Sequence, residues 1–115
     1  EEPLALAETL HKLAGPGRTV LVDCLSLWLS NLMHAGRDID SEIATLAAGL
    51  PALGGPAVLV SNEVGLGIVP DNPLARSFGD HAGRLNQAVA AMVPNVVFVA
   101  AGLPLVLKSN ATTEH

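Results

Sequence analysis

The sequence predicts an α/β fold with a mostly parallel sheet, and three observations carry that prediction. Short apolar runs rich in β-branched residues, Thr19 to Val22 and Ala57 to Val60, alternate with longer segments whose apolar residues recur at helical spacing. Both runs stop on polar residues, Asp23 after the first and Ser61-Asn62-Glu63 after the second. Open α/β sheets place their ligands at the carboxyl ends of strands, so both stops are candidate site positions. Glycine and proline clusters, Gly15-Pro16-Gly17 and Gly54-Gly55-Pro56, punctuate the alternation at its turns.

Element by element, Leu4 to Leu13 carries Leu4, Leu6, Leu10 and Leu13 with Glu and Lys between them, the pattern of a short amphipathic helix entered through Pro3. Thr19 to Val22 reads as a buried parallel strand closed by Asp23, and Leu25 to Met33 has the spacing of a buried helix. After Ala35 to Arg37, Asp38 or Asp40 can cap a helix running through Ile43, Leu46 and Leu50, which Pro51 ends. Ala57 to Val60 reads as a fully buried strand, and a long helix is expected from about Pro73 to Met92, ended by Pro94. Asn95 to Ala101 and Leu103 to Lys108 read as strands joined at Gly102, too close for a crossover and so an antiparallel hairpin at one edge of the sheet. One domain over residues 1–108 with a polar tail at 109–115 is the expected organisation. Four strands are few for a doubly wound sheet, and the chain does not begin with Met, so a piece of a longer protein is expected.

Composition narrows the function classes. Half of the 115 residues are hydrophobic and 15% are charged, a core-rich balance that suits part of a larger body or an oligomer. A net charge of −5 with six Lys and Arg argues against a nucleic-acid partner, because phosphate-backbone affinity needs clustered cations. The apolar run Val96 to Leu107 is too short to span a bilayer and contains Gly102 and Pro104, so membrane insertion is not expected. The single cysteine, Cys24, suits a buried free thiol in a reducing compartment, which makes the cytoplasm the expected location.

The richest segment is Ser61 to Pro70, SNEVGLGIVP, where a strand runs into an amide, a carboxylate and two glycines. Asn62 and Glu63 fall where a ligand would sit, and Gly65 and Gly67 allow a sharp turn or a close approach. An ordinary strand-to-helix loop remains the alternative. Asp23 can hold Mg²⁺ for phosphate transfer or cap the Leu25 helix. On the long helix, Leu74, Phe78, Ala82, Leu85, Val89 and Met92 share one side, while Arg76, Asp80, Gly83, Arg84 and Gln87 share the other. That second stripe is either a phosphate-facing or subunit-facing surface or a solvated face with Arg76, Asp80 and Arg84 as spaced ion pairs. Gly83 favours the former, because glycine within an exposed helix costs about 1 kcal/mol relative to alanine and marks close packing or a ligand. The four histidines lack metal-ligand spacing, and neither GxxxxGK[ST] nor GxGxxG occurs.

The string SNEVGLGIVPDNPLARSFGDHAGRLNQ resembles the bifunctional adenosylcobinamide kinase and adenosylcobinamide-phosphate guanylyltransferase family of cobalamin biosynthesis, through its NEVGxGIVP turn, N-x-LAR and D-x-AGRxNQ. VDCLSLWLSNLM upstream looks like a second motif of that family, and the resemblance extends to Lys108. It implies a P-loop, RecA-like core with helices on both faces of the sheet. It also implies that ATP or GTP phosphorylates adenosylcobinamide and that GMP then passes from GTP to the resulting phosphate, through a guanylylated histidine. The family's P-loop and that histidine belong to an N-terminal part that this sequence lacks, so the chain alone is expected to be inactive. A non-catalytic remnant or assembly module of the same fold is the alternative. Within the resemblance, Asp23 takes the Walker B position and helps hold Mg²⁺, and Glu1 contacts the guanine or ribose of GTP. Asn62 and Glu63 face the cleft between nucleotide and corrinoid, and Arg76 and Arg84 neutralise phosphate or contact a neighbouring subunit of a homo-oligomer.

Overall fold

A computed structural model describes residues 4–63 and 71–109. Its order is α1 (Leu6–Leu13), β1 (Val20–Asp23), α2 (Leu25–His34), α3 (Ile39–Gly49), β2 (Ala57–Val60), α4 (Pro73–Met92), β3 (Val96–Ala100) and β4 (Leu103–Lys108), with a 3-10 turn at Leu50–Ala52. The α/β alternation is therefore present. α1 begins later than its leucine pattern suggests: Ala5, at φ −89° and ψ 51°, is outside the helical region, and the Leu4 carbonyl accepts from the Leu6 amide and from the Trp28 indole on α2, each at 3.0 Å. Asp38, rather than Asp40, caps α3, its carboxylate accepting from the Ser41 amide at 3.2 Å. α4 starts on Pro73 behind Asn72, whose side chain accepts from Leu74 N at 2.8 Å and Ala75 N at 3.4 Å. That arrangement satisfies amides that a helix start leaves open.

The helices make the core. Leu25, Trp28, Leu29 and Leu32 line one face of α2, Ile39, Ile43 and Leu46 one face of α3, and Ala82, Leu85 and Val89 one face of α4. Spacings of three and four residues bring each set onto one stripe. Leu29, Leu32 and Leu85 have no exposed surface at all.

β1 and β2 pair in parallel, Val20 opposite Ala57 through Asp23 opposite Val60. Their expected full burial is not what the structure shows. Val22 is buried, with Val20 and Leu59 packed against the helical core, whereas Leu21, Val58 and Val60 on the other face are 64%, 51% and 40% exposed. Successive side chains of a strand point to opposite faces, so helices packed on one side cover alternate residues only. Among the described residues the helices thus cover one face of this pair, not both. At its amino end the pair is closed by close-packed loops. Val20 N donates to Pro56 O at 3.1 Å, and a Cβ on Gly55 would run into the Gly15 carbonyl, so this crossing requires glycine.

The expected hairpin forms, but as a separate sheet rather than an edge of the first. β3 and β4 pair antiparallel through a tight turn at Ala101 and Gly102, both with positive φ (54° and 75°). Such a turn matches the twist of the strands it joins. Val97, Val99, Leu103, Leu105, Val106 and Leu107 remain exposed on it. Lys108 Nζ donates to the Ala90 carbonyl near the end of α4, 2.9 Å away.

Candidate functional site

The register that pairs Asp23 with Val60 sets the geometry of the site, because it brings the ends of β1 and β2 level. Asp23 and the segment Ser61, Asn62, Glu63 therefore leave the sheet side by side at the same end. Asp23, Asn62 and Glu63 are all exposed. Of the two roles open to Asp23, capping α2 is not the one it takes. The capping position is Cys24, and no side chain bonds there. Cys24 itself is half-buried rather than buried.

Past Val60 the ladder ends, and backbone groups need other partners. Two helices supply them. Ser26, buried in the first turn of α2, accepts from the Asn62 amide at 3.0 Å. Asn86 on α4 accepts from the Ser61 hydroxyl at 2.6 Å and donates from Nδ2 to the Asn62 carbonyl at 3.4 Å. The result is a hydrogen-bonded cluster of Ser26, Ser61, Asn62 and Asn86, drawn from α2, α4 and the segment after β2, with Asp23 and Glu63 beside it at the strand ends. Sequence reasoning did not single out Ser26 or Asn86 as site residues. The available signal for Asn86 was its place inside the GRLNQ string.

The described bonds of Arg76 and Arg84 are made elsewhere. Arg76 donates to the Asp71 carbonyl at 2.9 Å, bracing the entry to α4. Arg84 pairs with Asp40 on α3 at 3.3 Å and contacts His81 Nδ1 at 2.6 Å. The expected pairing along the helix to Asp80 gives way to this contact across helices. Arg84 and Gln87, with Asp40, Ile43 and Ala44, border an open α3–α4 groove of about 420 Å³, and a second groove of about 660 Å³ lies between α1 and α3 beside His11 and Thr45. No residue of the strand-end cluster lines either groove. Gly83 is not held by close packing among the described residues, since a Cβ there meets nothing within 4 Å. Glu1, Gly65 and Gly67 lie outside the described residues.

Mg²⁺ usually binds through one or two carboxylates, with phosphate oxygens and water filling the other positions. The exposed Asp23 carboxylate fits that pattern. No group of three or more His, Cys, Asp or Glu able to hold a metal by itself occurs among the described residues. None of the helices, over the same residues, is long and apolar enough to cross a membrane.

Fold and site together define an α/β domain whose polar chemistry gathers where two parallel strands end. The chain belongs to the cobinamide kinase / cobinamide phosphate guanyltransferase family, CobU, whose pattern matches residues 1–107. It is 50% identical over 110 residues to the bifunctional adenosylcobalamin biosynthesis protein CobP of Pseudomonas aeruginosa, covering 94% of this chain and 64% of that protein. The bifunctional adenosylcobalamin biosynthesis protein CobU of Salmonella typhimurium is 38% identical over 108 residues, 81% of this chain and 60% of that protein. CobU of Escherichia coli is 36% identical over 118 residues, 90% and 65% respectively. The chain thus spans under two thirds of the length of these curated relatives.

Proposed function

We propose that this chain forms one wall of the active site of a bifunctional enzyme of cobalamin biosynthesis. In its first reaction the hydroxyl of adenosylcobinamide takes the γ-phosphoryl group of ATP or GTP, releasing the nucleoside diphosphate and a proton. In its second, the new phosphate receives GMP from GTP with loss of pyrophosphate, giving adenosylcobinamide-GDP. The observation that carries the reading is the level, adjacent exit of Asp23 and of Asn62-Glu63 from two parallel strands, in a chain of this family.

Asp23 holds Mg²⁺ in this reading, and the ion supplies positive charge to the nucleotide phosphates. Asn62 and Glu63 face the space between nucleotide and corrinoid, where Glu63 orients a hydroxyl group. Glu1 contacts the base or ribose of GTP. Arg76 lies near the entry of α4 and suits phosphate neutralisation. Arg84, tied to α3, suits a role in packing or in contact with a neighbouring subunit of a homo-oligomer. The enzyme works in the cytoplasm.

A phosphate-cradling loop does not occur in these 115 residues. Without its backbone amides and lysine nothing holds the β- and γ-phosphates, so the chain by itself is inactive. The second reading is a non-catalytic remnant or assembly module of the same fold. The coding sequence upstream separates the two: GxxxSGKS followed by a histidine-bearing helix supports the enzyme, and a stop codon or unrelated sequence supports the remnant. The direct test is Asp23→Asn in the full-length protein. Phosphoryl and guanylyl transfer are expected to fall about a hundredfold, with nucleotide KM changed far less, as for loss of a group that acts on developing charge. Unchanged turnover removes Asp23 from the site.

A further inference from the structure

We infer that Asn86 is a positioning residue that sets the direction in which Asn62 and Glu63 leave β2. This inference rests on the proposed role of those two residues at the reacting end of the domain. Beyond Val60 the chain has left the β1 ladder, and Asn62 has both its backbone groups held by side chains of flanking helices. Its amide donates to Ser26 on α2, and its carbonyl accepts from Asn86 on α4. One residue earlier, the Ser61 hydroxyl closes the arrangement by donating to Asn86 at 2.6 Å. The two peptide planes that flank Asn62, Ser61–Asn62 through its amide and Asn62–Glu63 through its carbonyl, are thereby each held by a helix side chain.

The chemistry asks for an amide at position 86. Its planar group accepts from Ser61 through Oδ1 while it donates to the Asn62 carbonyl through Nδ2. Aspartate keeps the acceptor and loses the donor; alanine loses both. Ser61 and Asn86 are both half-buried, so a stability measurement on each variant is what separates loss of their bonds from loss of packing. Small displacements at a reacting group cost rate steeply, and a clamp on the segment that carries one guards against them.

The test uses the full-length protein, with steady-state kinetics of both transfers and thermal denaturation. Asn86→Ala, Asn86→Asp and Ser61→Ala are each expected to lower kcat about tenfold, with KM for GTP within about twofold. Ser61→Thr, which keeps the hydroxyl, recovers most of the kcat lost in Ser61→Ala. The double variant Ser61→Ala/Asn86→Ala loses no more than Asn86→Ala alone, because both act through one arrangement. Unchanged kcat in the single variants overturns the inference, as does a loss that only tracks the fraction of unfolded protein, or Ser61→Thr as slow as Ser61→Ala. If Asn86→Ala does not fold, the Ser61 pair still decides. Glu63→Gln separates this inference from the reading beneath it. Full activity in Glu63→Gln overturns that reading. An inactive Glu63→Gln beside fully active Asn86 and Ser61 variants overturns the clamp alone.

Discussion

Arg84 and Asn86 stand two positions apart on α4, and the helix turns them about 200° from each other, toward opposite flanks. On one flank Asn86 reaches the end of β2 and holds Ser61 and Asn62. On the other, Arg84 reaches Asp40 on α3 at the rim of an open groove. Leu85 between them is fully buried. Three consecutive residues thus serve three environments: a partly buried polar cluster, the core, and an exposed ion pair. Polar character alone does not distinguish the two flanks. What distinguishes them is the partner: backbone groups that have lost their ladder on one side, a solvated carboxylate on the other.

Disrupting the centre of this arrangement has the largest expected effect. Leu85→Ala removes a side chain with no exposed surface from the junction of α2, α3 and α4 and costs about 2–5 kcal/mol, by lost transfer energy plus the cavity left behind. Leu105→Ala on β4, where the side chain is 58% exposed, stays within about 0.5 kcal/mol. Urea unfolding with m held in common measures both. A cost at Leu105 equal to that at Leu85 means that the hairpin is covered in solution, and the contrast between core and hairpin then fails.

Much of this was legible in the sequence, for identifiable reasons. β2 and α4 lie where their patterns put them, since Gly54-Gly55-Pro56 and Pro73 mark their starts and twenty residues of helical spacing leave little freedom in α4. Asp23, Asn62 and Glu63 were found because a strand that stops on a carboxylate is a local signal. Ser26 and Asn86 were missed because their partner lies 36 and 24 residues away, and nothing near either residue indicates which backbone group it meets. The Arg84 pairing was missed for the same reason: a periodic helix offers Asp80, whereas the actual partner is 44 residues distant. Burial of β1 and β2 was overestimated because an apolar run shows what a strand can bury, not how many of its faces are covered.

A smaller effect is expected one residue before the pair. Gly83 sits in mid-helix with open space where a Cβ would go. Gly83→Ala therefore introduces no clash among the described residues and gains about 1 kcal/mol of stability from helix propensity. If turnover is unchanged, this stretch of α4 is a plain outer surface. If the melting temperature rises while kcat/KM falls, a ligand or another part of the protein approaches the backbone here, and the Asn86 flank extends toward Gly83.

The smallest effect belongs to the Arg84 flank. The Arg84 and Asp40 side chains are 50% and 75% exposed, so solvent screens their attraction, and fixing two long side chains offsets part of what remains. A double-mutant cycle of Arg84→Ala and Asp40→Ala is expected to give a coupling of about 0.5 kcal/mol or less, shrinking further in 1 M salt as the screening length contracts to ~3 Å. Catalysis supplies the sharper arm. If Arg84 only braces α4 against α3, Arg84→Ala leaves kcat/KM near wild type, whereas Asn86→Ala lowers it through kcat. A large loss of kcat/KM in Arg84→Ala, with stability unchanged and Asp40→Ala harmless, places a phosphate or a neighbouring subunit at this groove. Both flanks of α4 would then belong to the reacting surface, and the division drawn between Arg84 and Asn86 would be wrong.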